Sequence, residues 1–270
     1  MATKVWIEQM GRRVSGSVGL SILLTHFPFP LKSFTGSAAA LSSISGPIEV
    51  RLAAENPSQA TFEVLLRPLS NVPGTESKAL ASTIRNLLTP SIILTQNPRT
   101  LVQLVVQALI PAEKFYSPLV ASIINASTLA LMNAGSIPMR GIVCAVSVGR
   151  FRSNSMHTST LILDPSDDEL SSLQGIGCFA FLFGTGQKGG SEVVWSNWQS
   201  STSFSEEELI SARNLARGGA EKVWMGMKQS VGRVVDTKPS AVQTQSIMSV
   251  AAEEDESSSE DDSDDNEMKL

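Results

Sequence analysis

From Gly46-Pro47 the chain alternates apolar and polar positions over residues 48–53 (IEVRLA) and again over residues 60–68 (ATFEVLLRP), with Glu55-Asn56-Pro57-Ser58 between them. A period of two predicts strands with one buried face, and two such runs around a turn predict an antiparallel hairpin. Past Asn71-Val72-Pro73-Gly74 the spacing changes to threes and fours. Ala79, Leu80, Ile84, Leu87 and Leu88 predict a helix over residues 75–88 that Pro90 closes. After Asn97-Pro98, the β-branched run of residues 100–109 predicts a largely buried strand. Residues 118–134 (PLVASIINASTLALMNA) carry no charge and are apolar nearly all round. That composition predicts a helix enclosed in a core or between subunits. Gly135 supplies its stop, with Pro138 beyond.

Residues 141–150 and 157–164 flank the turn-forming residues 152–155 and predict a second hairpin. Residues 178–184 and 191–201 predict a third, joined by the Gly-rich Thr185-Gly186-Gln187-Lys188-Gly189-Gly190. A last helix begins at an N-cap Ser205, with Glu208 placed to complete a capping box and Phe204 and Leu209 placed as a hydrophobic staple. Leu209, Ala212, Leu215, Ala216, Ala220, Val223, Trp224 and Met227 form its apolar stripe. Gly218-Gly219 loosens it by about 1 kcal/mol per glycine relative to alanine. From Thr237 the composition turns to Ser, Thr, Gln and Pro and then to acid, which predicts a disordered tail. The element order predicts an α+β fold with helices laid on a mixed, largely antiparallel sheet.

The formal charge is −5, but ten acids lie between Glu253 and Glu267, and only Lys269 is basic beyond Glu253, so residues 1–252 carry +4. The acidic balance belongs to the tail and does not argue against an anionic partner such as RNA. Cys144 and Cys178 sit in apolar runs and offer neither a disulfide framework nor zinc-ligand spacing, which favours a reducing compartment. Lys4, Arg12 and Arg13 precede apolar residues 14–24, a length that suits a secretory signal but falls short of the roughly 20 residues of a membrane span. Elsewhere no apolar run approaches spanning length.

With His26 and His157 as the two histidines, a nucleophilic triad or multi-His metal site has little material. The GTGQKGG stretch lacks the Gly-Lys-Ser/Thr of a P-loop and lies between strands, so it reads as a hairpin connection. Asp164, Asp167, Asp168 and Glu169 follow a strand, where acids either hold a divalent cation or help a solvated loop turn; the second reading is favoured. Arg67, Arg85, Arg99 and Arg140 lie at element edges, from which guanidinium groups reach RNA phosphates or pair with acids across subunits. Ser257, Ser258, Ser259 and Ser263 stand among the tail's carboxylates as solvating residues or acceptors for an acidophilic kinase.

Leu66-Arg67-Pro68, Val72-Pro73-Gly74-Thr75, Asn97-Pro98-Arg99-Thr100, residues 125–135 (NASTLALMNAG) with Pro138-Met139-Arg140, and Leu163-Asp164-Pro165 together resemble the RNase PH family in order and spacing. The resemblance runs from about Gly46 to Met227 and is nearest to the RNase PH-like subunits of the eukaryotic RNA exosome core. It implies an RNase PH-like fold of the ribosomal protein S5 domain 2-like type, over residues 37–235, between an atypical segment 1–36 and a disordered acidic tail 236–270.

Active members of that family cleave RNA from its 3′ end with inorganic phosphate, held by a Gly-Thr-Arg step seven to five residues before the Asn of the Asn-Ala motif. Counted back from Asn125, those positions are Pro118, Leu119 and Val120. An apolar triplet offers no charge to a phosphate dianion, and proline removes a backbone donor. Asp164 matches the family's first catalytic acid, but the second, six residues on, is Leu170, with Glu169 one residue out of register. Losing even one preorganised donor of this kind costs about 2.7–4 kcal/mol of transition-state stabilisation. The resemblance therefore implies a non-catalytic structural subunit, without cofactor or metal, in a hexameric ring with related chains. RNA-binding cap subunits would sit on that ring and RNA would thread its channel, in the nucleus and nucleolus and also the cytoplasm. An active phosphorolytic exoribonuclease and a free-standing RNA-binding module are the alternatives.

Overall fold

The structure, a computed structural model, describes residues 21–25, 38–69, 72–110, 116–151, 160–184 and 190–236. His26, His157, the turn 152–155, most of the Gly-rich connection and the acidic tail lie outside the described residues. The chain divides into two compact units, Met1–Lys228 and Gln229–Leu270. In the second, the described residues 229–236 are helical.

Two four-stranded sheets make up the first unit. The first contains β1 (Ser21–Thr25), β2 (Ala40–Glu49), β3 (Thr61–Arg67) and β4 (Thr100–Ala108), in the order β1-β2-β4-β3. The predicted hairpin between residues 48–53 and 60–68 does not form. β4 lies between the two runs, antiparallel to β2 and parallel to β3. Helix α1 (Thr75–Leu88) carries the chain from the end of β3 back to the start of β4, as a parallel pair requires. Alternation fixes which face of a strand is buried but not which strand lies beside it.

A second correction falls on segment 1–36. Its residues 21–25 form β1, paired in register with β2 from Ser21 opposite Ile44 to Thr25 opposite Ala40. The segment thus supplies an edge strand of the first sheet.

The second sheet is antiparallel throughout: β5 (Gly141–Phe151), β6 (Leu161–Leu163), β7 (Leu173–Gly184) and β8 (Ser191–Ser200), in the order β6-β5-β7-β8. Both later hairpins are therefore present, with β7 beginning five residues before the expected start. The charge-free helix α2 (Ser117–Ala134) packs against β1, β2, β5 and β7 and so joins the two sheets. From Ser117 to Leu131 only Ser122 is not fully buried. By length and composition α2 matches a membrane span, contrary to the expectation that no run does, but it is the central helix of this core. It ends at Gly135, whose φ of 65° is the left-handed cap that glycine adopts without a Cβ clash. Ser136, just beyond, donates its hydroxyl to the Gly46 carbonyl at 3.0 Å and ties this turn to β2.

Helix α4 is Glu206–Asp236, and its residues 206–228 cover the other face of the second sheet. Its buried residues are Ala212, Ala216, Gly219, Ala220, Val223 and Met227. Leu215, expected in the stripe, is exposed, and Leu209 and Trp224 are half-buried. The capping box is half-formed. The Ser205 hydroxyl accepts the Glu208 N–H at 3.2 Å, but the Glu208 carboxylate is drawn off to Arg150. Phe204 stands edge-on to Trp198 at 6.3 Å between ring centres.

The paired glycines of α4 are not equivalent. A Cβ on Gly218 meets nothing within 4 Å, whereas one on Gly219 meets both Cδ atoms of Leu163 at 2.8 Å. Gly218→Ala is expected to add about 1 kcal/mol of stability and raise Tm by roughly 2–4 °C, followed by circular dichroism. Gly219→Ala gains less or loses stability, because Leu163 must move. Equal gains from both would show that α4 does not press on β6.

Candidate functional site

Two residues of the motifs that carry the resemblance, Asn125 and Asp164, meet one edge of β5. Asn125 of α2 donates its amide to the Ala145 carbonyl and accepts the Ala145 N–H on its Oδ1, both at 2.8 Å. β6 covers only Val148–Arg150 of β5, so Ala145 points its backbone groups where no strand among the described residues reaches. A buried strand group must find a partner, and Asn125 supplies both. Two residues further along, the Ser147 carbonyl accepts the Asp164 N–H at 2.8 Å, and the Ser147 hydroxyl donates to Asp164 Oδ1 at 2.9 Å. Asn125 and Asp164 therefore engage β5 about 7 Å apart along the strand.

Asp164 makes these contacts from a φ of 53°, a left-handed backbone that Asp and Asn tolerate better than other side chains. Burial pushes its carboxyl above the usual carboxylate range, against a smaller lowering by the Ser147 hydroxyl. Burial also pushes the thiol of Cys178 far up, with the charge of Asp164 adding to it, and burial does the same to Cys144. Neither cysteine is a nucleophile in this setting.

The positions that the resemblance aligns with the family's phosphate-binding step are apolar and enclosed. Pro118, Leu119 and Val120 form the first turn of α2 and are all buried, and the Val120 N–H is spent on the Tyr116 carbonyl at 3.0 Å. The second acid position, Leu170, ends the four-residue helix α3 (Asp167–Leu170). Its neighbour Glu169 does not stand in: the carboxylate caps α3 by accepting the Ser166 N–H at 2.9 Å and faces solvent. The acid cluster is thus turn-forming. Among the described residues no three His, Cys, Asp or Glu side chains group to hold a metal ion. Asp164, the acid that the resemblance matches, is half-buried and shares its carboxylate with a serine.

The four candidate arginines are all exposed but do not form one set. Arg67 ends β3, opposite Gln107. Arg99 precedes β4 at the other end of that strand pair, roughly 26 Å away by strand rise. Arg85 lies in the last turn of α1, and the Arg140 N–H bonds the Ser91 carbonyl just beyond it, so both share the Arg99 end. Arg99 also pairs with Glu55 at 3.4 Å, an exposed ion pair of little energetic weight.

Arg150, which pattern reading places simply at a strand end, is 4 % exposed and bonds Glu208, Ser200, Thr202 and the Ser203 carbonyl. An arginine closing an apolar strand, with a serine- and glutamate-rich segment downstream, is the only trace of it in the sequence.

Two sheets joined by a buried helix, with an Asn and an Asp brought to one strand edge, define an RNase PH-type domain. The family model for the 3′ exoribonuclease family, domain 1 (RNase PH), matches residues 34–136. Over those residues the chain is similar to that family. Within it, the chain is similar to the exosome complex component rrp46 of Schizosaccharomyces pombe, 38 % identical over 112 residues, which is 42 % of this chain and 48 % of that protein. It is 26 % identical over 212 residues to the exosome complex component RRP46 of Saccharomyces cerevisiae, covering 77 % of this chain and 92 % of the relative. The crystal structure of rice (Oryza sativa) Rrp46 superposes with a TM-score of 0.60 at 22 % identity, over 77 % of this chain and 94 % of that one. An archaeal exosome core subunit does so with a TM-score of 0.53 at 16 % identity, over 77 % and 86 %. At these identities the superpositions establish the fold.

The raised carboxyl of Asp164 has a sign that can be measured. A folded-state pKa above the unfolded value means that ionised Asp164 opposes folding at neutral pH, a penalty that fades as pH falls through the raised pKa. Asp164→Asn keeps an acceptor for Ser147 and suits the left-handed backbone. It is expected to unfold at higher temperature than the native chain at pH 7, with the difference shrinking towards zero in acid. Thermal unfolding across pH tests this, and a loss of stability at pH 7 would count against it.

Proposed function

We propose that the chain is a structural, non-phosphorolytic subunit of an RNA exosome core. In this reading it occupies one place in a ring of RNase PH-like chains capped by RNA-binding subunits, and supports 3′-to-5′ RNA processing and degradation, including rRNA maturation, in the nucleus and nucleolus and in the cytoplasm. The observation that carries the non-catalytic part is the first turn of α2. Pro118, Leu119 and Val120 are buried where the family places a phosphate-binding arginine, and Glu169 is committed to capping α3 rather than serving as a second acid. The names of the relatives, exosome complex components from two yeasts, support the ring assignment.

Mass spectrometry of proteins recovered with a tagged chain is expected to find other RNase PH-like subunits. The isolated chain, given phosphate and a 3′-extended RNA, is expected to release no nucleoside diphosphate. A solitary chain that releases nucleoside diphosphates would falsify this reading and restore the exoribonuclease. A solitary, inactive chain that binds RNA would instead mark a free-standing binding module.

Arg85, Arg99 and Arg140, together at one end of the first sheet, are positioned to track an RNA backbone. In the assembled complex, each changed to alanine is expected to weaken RNA binding equally across sequences and to reduce the salt slope by about 1. Arg67→Ala, at the opposite end, leaves the slope unchanged.

A further inference from the structure

The second sheet carries two cores of different character. On the α2 side, Val143, Ala145, Cys178 and Ala180 belong to the same cluster as the first sheet. On the α4 side, Cys144, Val146, Val148, Phe179 and Phe181 are equally buried but lie outside that cluster. α4 covers this second core largely with alanine and glycine, and each alanine buries little more than one methyl group. Larger contacts are few: Met227 against Cys144 at 3.9 Å between sulfurs, and Trp224 stacked on Phe183 at 5.4 Å with the rings 5° apart.

What holds the other end is polar. Arg150 of β5 reaches the first turn of α4 and the connection before it: one terminal nitrogen donates to Glu208 Oε1 at 2.8 Å and Oε2 at 3.1 Å, and to the Ser203 carbonyl at 3.3 Å. The other nitrogen donates to Ser200 Oγ at 2.6 Å and to Thr202 Oγ1. While α4 is docked the guanidinium is cut off from water and Glu208 is its counter-charge. Once α4 leaves, water reaches Arg150 and no counter-charge is needed. Removing the charge of Glu208 therefore penalises the docked state and leaves the undocked state nearly untouched.

We infer that α4 is a cover that leaves the second sheet as one piece, latched by the buried Arg150–Glu208 pair, while both sheets and α2 stay folded. Opening uncovers Cys144 and leaves Cys178 sealed beneath α2. The inference does not depend on the proposed function.

The two cysteines are built-in reporters. The full-length chain, kept well inside its native baseline, is exposed to an alkylating thiol reagent, and the labelling rate of each cysteine is followed by mass spectrometry. Glu208→Gln is expected to speed labelling of Cys144 roughly 100-fold or more, with Cys178 unchanged. Glu207→Gln, an exposed neighbour, behaves like the native chain. Thr202→Val, which removes one neutral hydrogen bond, serves should the Gln variant fail to fold, and is expected to speed Cys144 by several-fold. The inference is overturned if Cys144 is unaffected, or if Cys178 accelerates in parallel, which would mean that the domain opens only as a whole.

Discussion

The edge of β5 that faces β6 sets the constraint around which the domain is built. β6 is three residues long and pairs with Val148–Arg150 only. The next backbone groups along that edge are closed one after another, by the Asp164 N–H at Ser147 and by the Asn125 amide at Ala145. Each closure is obligatory because a strand group buried without a partner costs more than a typical hydrogen bond returns. Fixing Ala145 to α2 fixes the second sheet to the helix that also packs on the first. A single side-chain amide, at the middle of a charge-free helix, thereby sets the register between the two halves of the core.

The same edge gives Asp164 a structural duty. Asp164 occupies the position of the family's first acid, yet its backbone and side chain are both spent on Ser147, and its carboxyl is held towards the protonated form by burial. The positions with no such structural duty carry other residues. Leu170 ends a short helix, and the triplet at the head of α2 has become part of the apolar interior. Asp164 is the acid that the strand edge needs.

Much of this was legible in the sequence, for physical reasons that differ by element. α1 and the body of α2 follow from periodicity and composition, and the three-residue β6 falls within the apolar run that ends at Asp164. A helix's partners lie within its own turn, so local residues determine it. Strand neighbours are another matter. The parallel pairing of β3 with β4 depends on where α1 returns the chain, which the alternation of residues 48–68 does not encode. From sequence, β1 falls within an atypical segment, because the register that pairs Ser21–Thr25 with β2 is a non-local fact. Similarly, Glu208 was legible as half of a capping box, but the competing cation lies 58 residues earlier. A buried guanidinium prevails over a backbone N–H because the charge has no other counter-ion among the described residues, whereas the N–H already lies near solvent.

The same argument separates the two helices that flank the second sheet. α2 is held by apolar contact over nearly its whole circumference and by hydrogen bonds that close a strand, so its removal would expose both the core and the edge. α4 meets the sheet through small side chains, an aromatic stack at one end and a charge pair at the other. Apolar contacts of this size add in small increments, while a buried ion pair is all-or-none: paired it is tolerated, unpaired it is costly. The stability of α4 is therefore concentrated at Arg150 rather than spread along the helix. That concentration allows one face of a sheet to open while the opposite face, sealed by α2, keeps the domain intact.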